Sequence, residues 1–353
     1  MKKIFIDYNE INENNYPYII AEISGNHNSD LNKALQLIEE AKECGASAVK
    51  IQTFTPDCLT LNTDKPEFKI TSGLWSGYNL YELYEKTQTP FNWHEALFAK
   101  AKSCNITLFS SPFSLKSLKF ISQFKPAAYK IASNELHDWA LVEKIAEKQK
   151  PIIISSGVVN LEELENTVNL IRSKNNHEII ILHCISAYPA DSKDANLKTI
   201  LYLKKKFNTI IGFSDHTLGS IASCSAITMG ASIIEKHFIL DRNEGGPDSA
   251  FSLEPKEFKN FVRKCRMTWE TIGKVKFASR DKLLANTIYI RQLWTTKNIK
   301  KGEKLGWHNL RSIRGPSQIK AISSMDYKIA MNNKVNKNLL KHSPLLKQDI
   351  EEN

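Results

Sequence analysis

The feature that most constrains this chain of 353 residues is a regular alternation of short apolar runs with segments of helical periodicity. The apolar runs are Tyr18–Ser24, Ala48–Phe54, Ile106–Ser111, Ala128–Ser133, Pro151–Ser156, Glu178–Ser186, Thr209–His216 and Ser232–Phe238. Amphipathic segments such as Leu31–Cys44, Leu161–Ile171 and Ile221–Met229 lie between them. Strands that are apolar throughout are typical of a parallel sheet covered by helices. Eight such repeats predict a (β/α)8 TIM barrel, with Pro255–Ile272 as its last helix.

The barrel pattern ends at Gly273, and the sequence beyond it differs in character. Residues 274–286 are polar and charged and predict a linker. Residues 287–353 contain short strand-like pieces and predict a small second domain after a barrel domain of residues 1–273. This last segment has 13 Lys and Arg against 5 Asp and Glu, so it holds most of the net charge of +10. It is either a solvated basic surface or a basic lid that attracts a small anionic substrate.

Composition also bears on compartment and partners. No apolar run approaches the roughly 20 residues that span a bilayer, and the first residues lack the features of a signal peptide. We therefore expect a cytoplasmic protein with no membrane partner. Because most of the positive charge is located in the final segment, we also expect no nucleic-acid partner. The six cysteines are scattered without a Cys-x-x-Cys pair, which argues against a zinc knuckle or a disulfide framework.

Polar residues are concentrated at the ends of the predicted strands, where barrel enzymes carry their catalytic groups. Lys50 and Lys130 lie within strands, where lysine is rare unless it is paired, and Glu22 ends the first strand. Together with serine hydroxyls at other strand ends, the lysines predict a site for a phosphate or a carboxylate. The chain has no nucleotide-binding glycine motif, so this is not a nucleotide loop. Any single one of these serines could instead be a strand-end cap.

Two histidines, His216 and His237, close the seventh and eighth predicted strands. Neighbouring parallel strands bring both imidazoles to the same rim, where a divalent ion could bridge them. Two nitrogen ligands would leave positions open for water and substrate, and such a site suits Mn2+ better than Ca2+. The alternative is a pair of hydrogen-bonded core histidines. Asp215 and Glu235 are candidate ligands, acceptors for the histidines, or ion-pair partners of the lysines.

One connection, residues 55–92, is much longer than the others and contains several aromatic residues. Long insertions at the carboxyl-terminal rim of a barrel commonly shape the substrate pocket. The alternative is a surface cluster that packs on itself.

Five motifs together closely resemble the sialic acid synthase family. They are Ile20–His27, Val49–Thr53, Tyr129–Ser133, Gly212–Thr217 and Glu235–Phe238. The tail is similar to that family's SAF domain, an antifreeze-like β-clip fold. Within the family, Gly73–Trp75 and Leu80–His94 resemble the branch that makes pseudaminic acid. The resemblance implies condensation of phosphoenolpyruvate with an amino-sugar aldehyde, here 2,4-diacetamido-2,4,6-trideoxy-L-altropyranose. The products would be pseudaminic acid and phosphate, released by C–O cleavage.

The resemblance also implies roles for individual residues. Phosphoenolpyruvate would bind through Lys50, Ser111, Lys130, Ser133, Ser155, Ser186 and Ser214. The sugar would contact Gln52, Tyr188, Asp248 and Arg314, with Arg311 as the alternative to Arg314. His216 and His237 would hold Mn2+, or another divalent metal such as Mg2+ or Co2+, and Glu22 would act in catalysis. The family further implies a domain-swapped homodimer in which the SAF domain covers the partner's barrel.

Three other functions remain open at this point. An N-acetylneuraminate or legionaminate synthase would perform the same chemistry on another sugar. A Schiff-base aldolase would use Lys130 or Lys50 without a metal. A non-catalytic carbohydrate-binding protein built on the tail is the rival from outside the enzymes.

Overall fold

Eight parallel strands close into a barrel in the order β10-β3-β4-β5-β6-β7-β8-β9, which confirms the predicted TIM barrel. These strands are β3 (Tyr18–Glu22), β4 (Ala48–Thr53), β5 (Thr107–Pro112), β6 (Tyr129–Ile131), β7 (Ile152–Ser155), β8 (Ile179–Cys184), β9 (Ile210–Asp215) and β10 (Ile233–His237). A short antiparallel hairpin of β1 (Ile4–Ile6) and β2 (Asn9–Ile11), which the sequence analysis did not predict, precedes them. The computed structural model describes residues 2–277 and 289–351.

The helices of the first unit lie between the strands and after the last one. They are α1 (Leu31–Glu43), α2 (Pro56–Leu59), α3 (Leu80–Thr87), α4 (His94–Ser103), α5 (Leu115–Ile121), α6 (Trp139–Ala146), α7 (Leu161–Ser173), α8 (Lys198–Phe207), α9 (Ile221–Thr228) and α10 (Pro255–Ile272). Short 3-10 turns are Pro66–Phe68, Phe91–Trp93, Ser122–Phe124, Asn134–His137, Ser192–Asp194, Arg242–Glu244 and Ser249–Phe251. Side-chain caps start several helices: Asp30 accepts from the first turn of α1, and Asn160 forms a capping box with Glu163 in α7. The predicted long connection contains α2 and α3.

Side chains alternate along each barrel strand between the interior and the surrounding helices. The lower interior is apolar, and the hairpin seals it because Ile4, Ile6 and Ile11 pack in one cluster with residues such as Ile20 and Phe109. The next interior positions toward the carboxyl-terminal ends are polar. The barrel therefore has an apolar floor and a polar mouth.

The chain divides into two units, Met1–Gly273 and Lys274–Asn353. The predicted linker 274–286 lies mostly outside the described residues, and so do positions 287 and 288 of the predicted second domain. In the second unit, β11 (Tyr289–Thr295) pairs antiparallel with β12 (Leu310–Pro316), and 3-10 turns lie at Ser324–Ile329 and Lys347–Asp349. This unit has its own apolar core, formed by Leu293, Ile299, Leu305, Leu310, Ile322, Ala330, Val335, Leu339, Leu345 and Ile350.

Within the described ranges, no helix has both the length and the apolar character needed to cross a membrane.

Candidate active site

The polar mouth of the barrel holds four buried ionic side chains, which we call the charge cluster: Glu22, Lys50, Lys130 and Glu235. Nζ of Lys50 lies 2.7 Å from Oε2 of Glu22 and 3.7 Å from Oε1 of Glu235. Nζ of Lys130 lies 3.9 Å from the same oxygen of Glu235. Each of the four side chains is at most 5% exposed, so removing one would leave another charge poorly compensated in a buried site.

Burial and mutual charge set the protonation of the charge cluster. Burial raises the pKa of Glu22, and the charge of Lys50 offsets this only in part. Burial also raises the pKa of Glu235, but the charges of Lys130 and Lys50 outweigh it and hold that pKa below its usual value. Burial lowers the pKa of Lys130. Glu235 is therefore the ionised partner of both lysines, and Glu22 is the carboxyl that protonates more easily.

Two of the predicted serines bond directly to the charge cluster. Lys130 donates from Nζ to Oγ of Ser155 at 2.7 Å. Ser214 donates from Oγ to Oε1 of Glu235 at 3.0 Å. These bonds join strands β6, β7, β9 and β10 around one point, so Lys130, Glu235 and the two hydroxyls hold one another in place.

Gly157, which follows β7, makes room for two further predicted serines. The backbone N–H of Gly157 donates to Oγ of Ser133 at 3.0 Å. A Cβ atom at this position would overlap Oγ of Ser186 and lie 2.9 Å from Oγ of Ser133. Oγ of Ser111 is buried and has no hydrogen-bond partner among the described residues. The hydroxyls of Ser133 and Ser186 thus converge near Gly157, and the hydroxyl of Ser111 is left without a partner among the described residues. The need for a glycine at position 157 was not predicted from the sequence.

The two predicted histidines meet at the mouth, with ring centroids 5.3 Å apart. Nδ1 of His216 lies 2.8 Å from the carbonyl oxygen of Ile185, and because a carbonyl only accepts, this nitrogen carries the proton. Ser24 donates to Oδ2 of Asp248 at 2.5 Å, and its Oγ lies 3.4 Å from Nδ1 of His237. Because the hydroxyl hydrogen of Ser24 is used in the bond to Asp248, its oxygen can only accept from His237, so Nδ1 of His237 carries the proton. Both rings therefore present a lone pair at Nε2.

His216 and His237 are the candidate ligands for a divalent metal ion at the mouth. In residues 2–277 and 289–351, no three His, Cys, Asp or Glu side chains form a group that could hold an ion. Two imidazoles remain, and burial lowers the pKa of His237 well below its usual value, which keeps that ring neutral. Burial alone would also lower the pKa of His216, but the hydrogen bond and the charge of Cys184 outweigh it and raise that pKa. Once His216 has lost its extra proton, two imidazole nitrogens fit an open site in which water and substrate complete the coordination.

A cavity of about 270 Å³ lies among residues that follow or end the barrel strands at the mouth. Three of the residues predicted to contact the sugar, Gln52, Tyr188 and Asp248, line it together with His237. Gln52 donates from Nε2 to Oε1 of Glu22 at 2.8 Å. The ring of Tyr188 lies 4.3 Å from that of His216, measured between centroids. The structure therefore places the predicted sugar-contacting residues of the barrel next to the two histidines and next to Glu22 of the charge cluster.

The long connection after β4 lines one side of this cavity. Its Trp75 lies 5.3 Å from Tyr188 between ring centroids and donates from Nε1 to the carbonyl of Pro247 at 2.8 Å. Leu80 and Tyr84 also line the cavity. This segment is thus part of the pocket and is not only a surface cluster.

Glu135 is a cavity residue that the sequence analysis missed. It lies in the 3-10 turn Asn134–His137 after β6. Oε2 of this side chain is buried and has no hydrogen-bond partner within the described residues. Burial raises the pKa of Glu135 to about 7. A carboxyl with such a pKa can take up or release a proton at neutral pH.

Asp215 does not face the site, so the expectation that it could be a metal ligand is wrong. It lies on the helix side of β9, where Oδ2 is 3.1 Å from Nζ of Lys236, and both side chains are fully buried. Oδ1 accepts from the backbone N–H and the hydroxyl of Thr217, each at 2.8 Å. Asp215 therefore holds the turn that follows His216 and acts on the site only through position.

In the second unit, the two candidate arginines lie on β12. Arg314 is directly opposite Arg291 and Arg311 is directly opposite Trp294 in the antiparallel pair. Both Arg311 and Arg314 are exposed. Their exposure leaves each available to an anion or a sugar, so the choice between them stays open.

Fold and site define the class of this chain: a (β/α)8-barrel enzyme whose polar groups lie at the carboxyl-terminal mouth, with a small second unit that follows the barrel in the chain. The sequence profile described as the NeuB family matches residues 37–277, and the chain belongs to the NeuB family.

Named relatives agree with this assignment. The chain is 45% identical over 297 residues to the pseudaminic acid synthase of Campylobacter jejuni subsp. jejuni serotype O:23/36 (strain 81-176), covering 84% of this chain and 87% of that protein. It is 42% identical over 336 residues to the pseudaminic acid synthase of Helicobacter pylori (strain ATCC 700392 / 26695), covering 95% and 98%. A solved N-acetylneuraminic acid synthetase from Leptospira borgpetersenii, in complex with citrate, superposes with a TM-score of 0.71 at 30% identity, covering 79% of this chain and 92% of that one.

Proposed function

We propose that this chain catalyses the pseudaminic acid synthase reaction. In this reaction phosphoenolpyruvate condenses with 2,4-diacetamido-2,4,6-trideoxy-L-altropyranose and water to give pseudaminic acid and phosphate by C–O cleavage. The observation that carries the proposal is the position of the charge cluster and its serines directly beside two histidines in one barrel mouth. The names of the two sequence relatives favour this sugar over N-acetylmannosamine.

In this proposal, the lysines and serines bind phosphoenolpyruvate. Lys50 and Lys130 supply the positive charge, and Ser155 and Ser214 supply hydroxyls next to them. Ser111, Ser133 and Ser186 provide further donors to the phosphate and carboxylate oxygens. Glu22 and Glu235 pair with the lysines before the substrate arrives, so the incoming anion shares the positive charge of Lys50 and Lys130 with these two carboxyls.

His216 and His237 would hold a divalent ion, for which we propose Mn2+. When bound, such an ion supplies Lewis acidity and orientation to the aldehyde oxygen. The histidines are kept in the correct tautomer by the carbonyl of Ile185 and by the Ser24–Asp248 pair. Tyr188 and Trp75 border the cavity and restrict the entry of water.

The covalent steps then balance as follows. The enol carbon of phosphoenolpyruvate forms a bond to the aldehyde carbon, whose oxygen becomes a hydroxyl. Water adds to the neighbouring carbon, which carries the positive charge of an oxocarbenium ion at that moment, and the tetrahedral product loses phosphate by breaking its C–O bond. The lysines stabilise the negative oxygens throughout. Glu22 and Glu135 are carboxyls whose raised pKa values suit them to give or take the protons, and burial raises the pKa of Asp248 as well.

The second unit has a part in the same proposal. We propose a homodimer in which this SAF-like unit covers the partner's barrel and Arg314 contacts the sugar. Its basic composition and the exposure of Arg314 support an encounter with an anionic substrate complex. Sedimentation of the purified chain should give a dimer. Arg314→Ala should raise KM for the sugar and leave KM for phosphoenolpyruvate unchanged, with Arg311→Ala as the matched control.

The deciding experiment incubates purified protein with Mn2+, the trideoxy diacetamido sugar and phosphoenolpyruvate labelled with 18O at the bridging position. Mass spectrometry should detect a nine-carbon acid, and the label should appear in phosphate. Lys130→Met, which keeps the length of the side chain but removes its charge, should give neither product. Product formed solely from N-acetylmannosamine would contradict the choice of sugar, and label retained in the acid would contradict C–O cleavage.

The same preparation separates the rival functions. Inactivation by borohydride in the presence of substrate, without any effect of chelator, would favour a Schiff-base aldolase on Lys130 or Lys50. Absence of phosphate release with every amino sugar tested would favour a non-catalytic carbohydrate-binding protein. A higher kcat/KM for a legionaminate or N-acetylneuraminate precursor than for the trideoxy diacetamido sugar would show that the enzyme performs the same reaction on a different sugar.

A further inference from the structure

One wall of the active-site cavity is apolar, and most of it comes from the long connection between β4 and α4. This apolar wall is formed by Phe54, Leu59, Ile70, Leu80, Leu83 and Phe113, and the rest of the lining includes Trp75, Ala132 and Pro247 as further apolar residues. The part of the wall around Phe54 is closely packed. Phe54 is only 2% exposed, and its ring makes edge-to-face contacts with Phe113 at 5.2 Å and Tyr84 at 5.9 Å between centroids.

This apolar wall lines the same cavity as His237. Five of its six residues follow β4 and Phe113 follows β5, whereas His216 and His237 follow or end β9 and β10. In the closed order β10-β3-β4-β5-β6-β7-β8-β9, strand β4 is two positions from β10 and three from β9. A substrate held at one end by the histidines therefore extends into this cavity, where its other end can meet the apolar wall.

The sugar of the proposed function has ends of different chemistry. Its aldehyde carbon must lie at the histidines for the carbon–carbon bond to form there. The far end of its six-carbon chain is a methyl group, because the sugar is deoxygenated at C6. A methyl group is stabilised by burial against apolar side chains, whereas a hydroxymethyl group would lose its hydrogen bonds to water there.

We propose that the apolar wall is the subsite for the C6 methyl group and makes the enzyme select 6-deoxy sugars over their 6-hydroxy counterparts. This inference rests on the proposed function and adds the residues that discriminate. An apolar pocket rejects an added hydroxyl by a limited factor, so the preference in kcat/KM should be about tenfold to 100-fold.

The test compares two sugars that differ only at C6, one with a methyl and one with a hydroxymethyl group. With wild-type enzyme, Mn2+ and saturating phosphoenolpyruvate, kcat/KM should be about tenfold to 100-fold higher for the 6-deoxy sugar. In Ile70→Asn and Leu80→Asn, an amide replaces an apolar group of similar size and can bond to the hydroxyl. These variants should reduce the ratio to about threefold or less, with KM for phosphoenolpyruvate unchanged.

Leu61→Asn is the matched control, because Leu61 lies in the same connection, is 65% exposed, and is not one of the residues that line the cavity. Its ratio should equal that of the wild type. Equal kcat/KM for both sugars with wild-type enzyme would overturn the inference and leave the synthase reaction intact, and this result needs no variant to fold. A shift of the ratio in Leu61→Asn as large as in Ile70→Asn would also overturn it. Absence of any product from the 6-deoxy sugar would instead refute the proposed function.

Discussion

The buried carboxyl of Glu135 makes stability depend on pH in a way that a single substitution should abolish. Burial raises its pKa from the usual 4.5 to about 7. Each step of one in pKa corresponds to about 1.4 kcal/mol, so ionised Glu135 costs the folded state about 3 kcal/mol relative to the unfolded chain. At pH values between these two pKa values, the folded state binds more protons than the unfolded state. The stabilisation that protonated Glu135 gives the folded state is therefore fully present below pH 4.5 and is lost as the pH rises through about 7.

Glu135→Gln keeps the shape of the side chain and is neutral at every pH. The variant should therefore become progressively more stable than the wild type as the pH rises. About a quarter of the cost is already present at pH 5, so the advantage of the variant should grow by about 2 kcal/mol between pH 5 and pH 8. The measurement is urea unfolding followed by tryptophan fluorescence, without substrate and with chelator present.

The exposed Glu162→Gln in α7 is the control for removing a carboxylate from the surface. Its stability relative to the wild type should change by no more than about 0.5 kcal/mol over the same range. If the difference between Glu135→Gln and the wild type were the same at pH 5 and pH 8, the reasoning from burial would be refuted. The same conclusion would follow if the difference grew equally for Glu162→Gln.

Three further outcomes are expected. Lys130→Met should lower kcat/KM for phosphoenolpyruvate by at least about 100-fold, measured by phosphate release, because it removes a charge-assisted contact and leaves Glu235 with one cation fewer; a loss under tenfold would place the anion elsewhere. Asp215→Asn should destabilise the fold by about 3 kcal/mol in urea titrations, because Lys236 would be left as a buried unpaired charge; unchanged stability would contradict the pairing. In the wild type, chelator should abolish turnover and Mn2+ should restore it. His237→Ala should bind Mn2+ at least tenfold more weakly than the wild type in a titration followed by electron paramagnetic resonance. Equal Mn2+ affinity of the variant and the wild type would show that this histidine is not a metal ligand.

The barrel itself was predictable from the sequence. Strands β7 and β8 each begin with three isoleucines, and helices such as α7 show clear amphipathic periodicity with a capping box at their start. Eight repeats of this kind have few alternative topologies, because consecutive parallel strands need helical crossovers of one hand. The hairpin β1–β2 was missed because its strands have only three residues each, too few to show a period.

Glu135 and Gly157 could not be found in the same way. Glu135 follows a strand in a short turn, where a glutamate is usually solvated. Glu135 is buried in a cavity that is also lined by residues of the long connection, among them Tyr84 from α3. Gly157 is needed because the hydroxyls of Ser133 and Ser186, from two other loops, converge on it. Contacts of this kind join residues that are distant in the chain, and no local pattern encodes them.

The sequence by itself determined the order of strands and helices and the stock of chemical groups at the strand ends. It did not determine which of those groups face the substrate. Lys50, Lys130 and Lys236 all lie in strands and look equivalent in the sequence, yet the first two point into the barrel and Lys236 points toward the helices, where it pairs with Asp215. A strand buried on both faces is apolar on both, so it carries no alternation that tells inside from outside. Only closure of the barrel decides which side of each strand becomes the site.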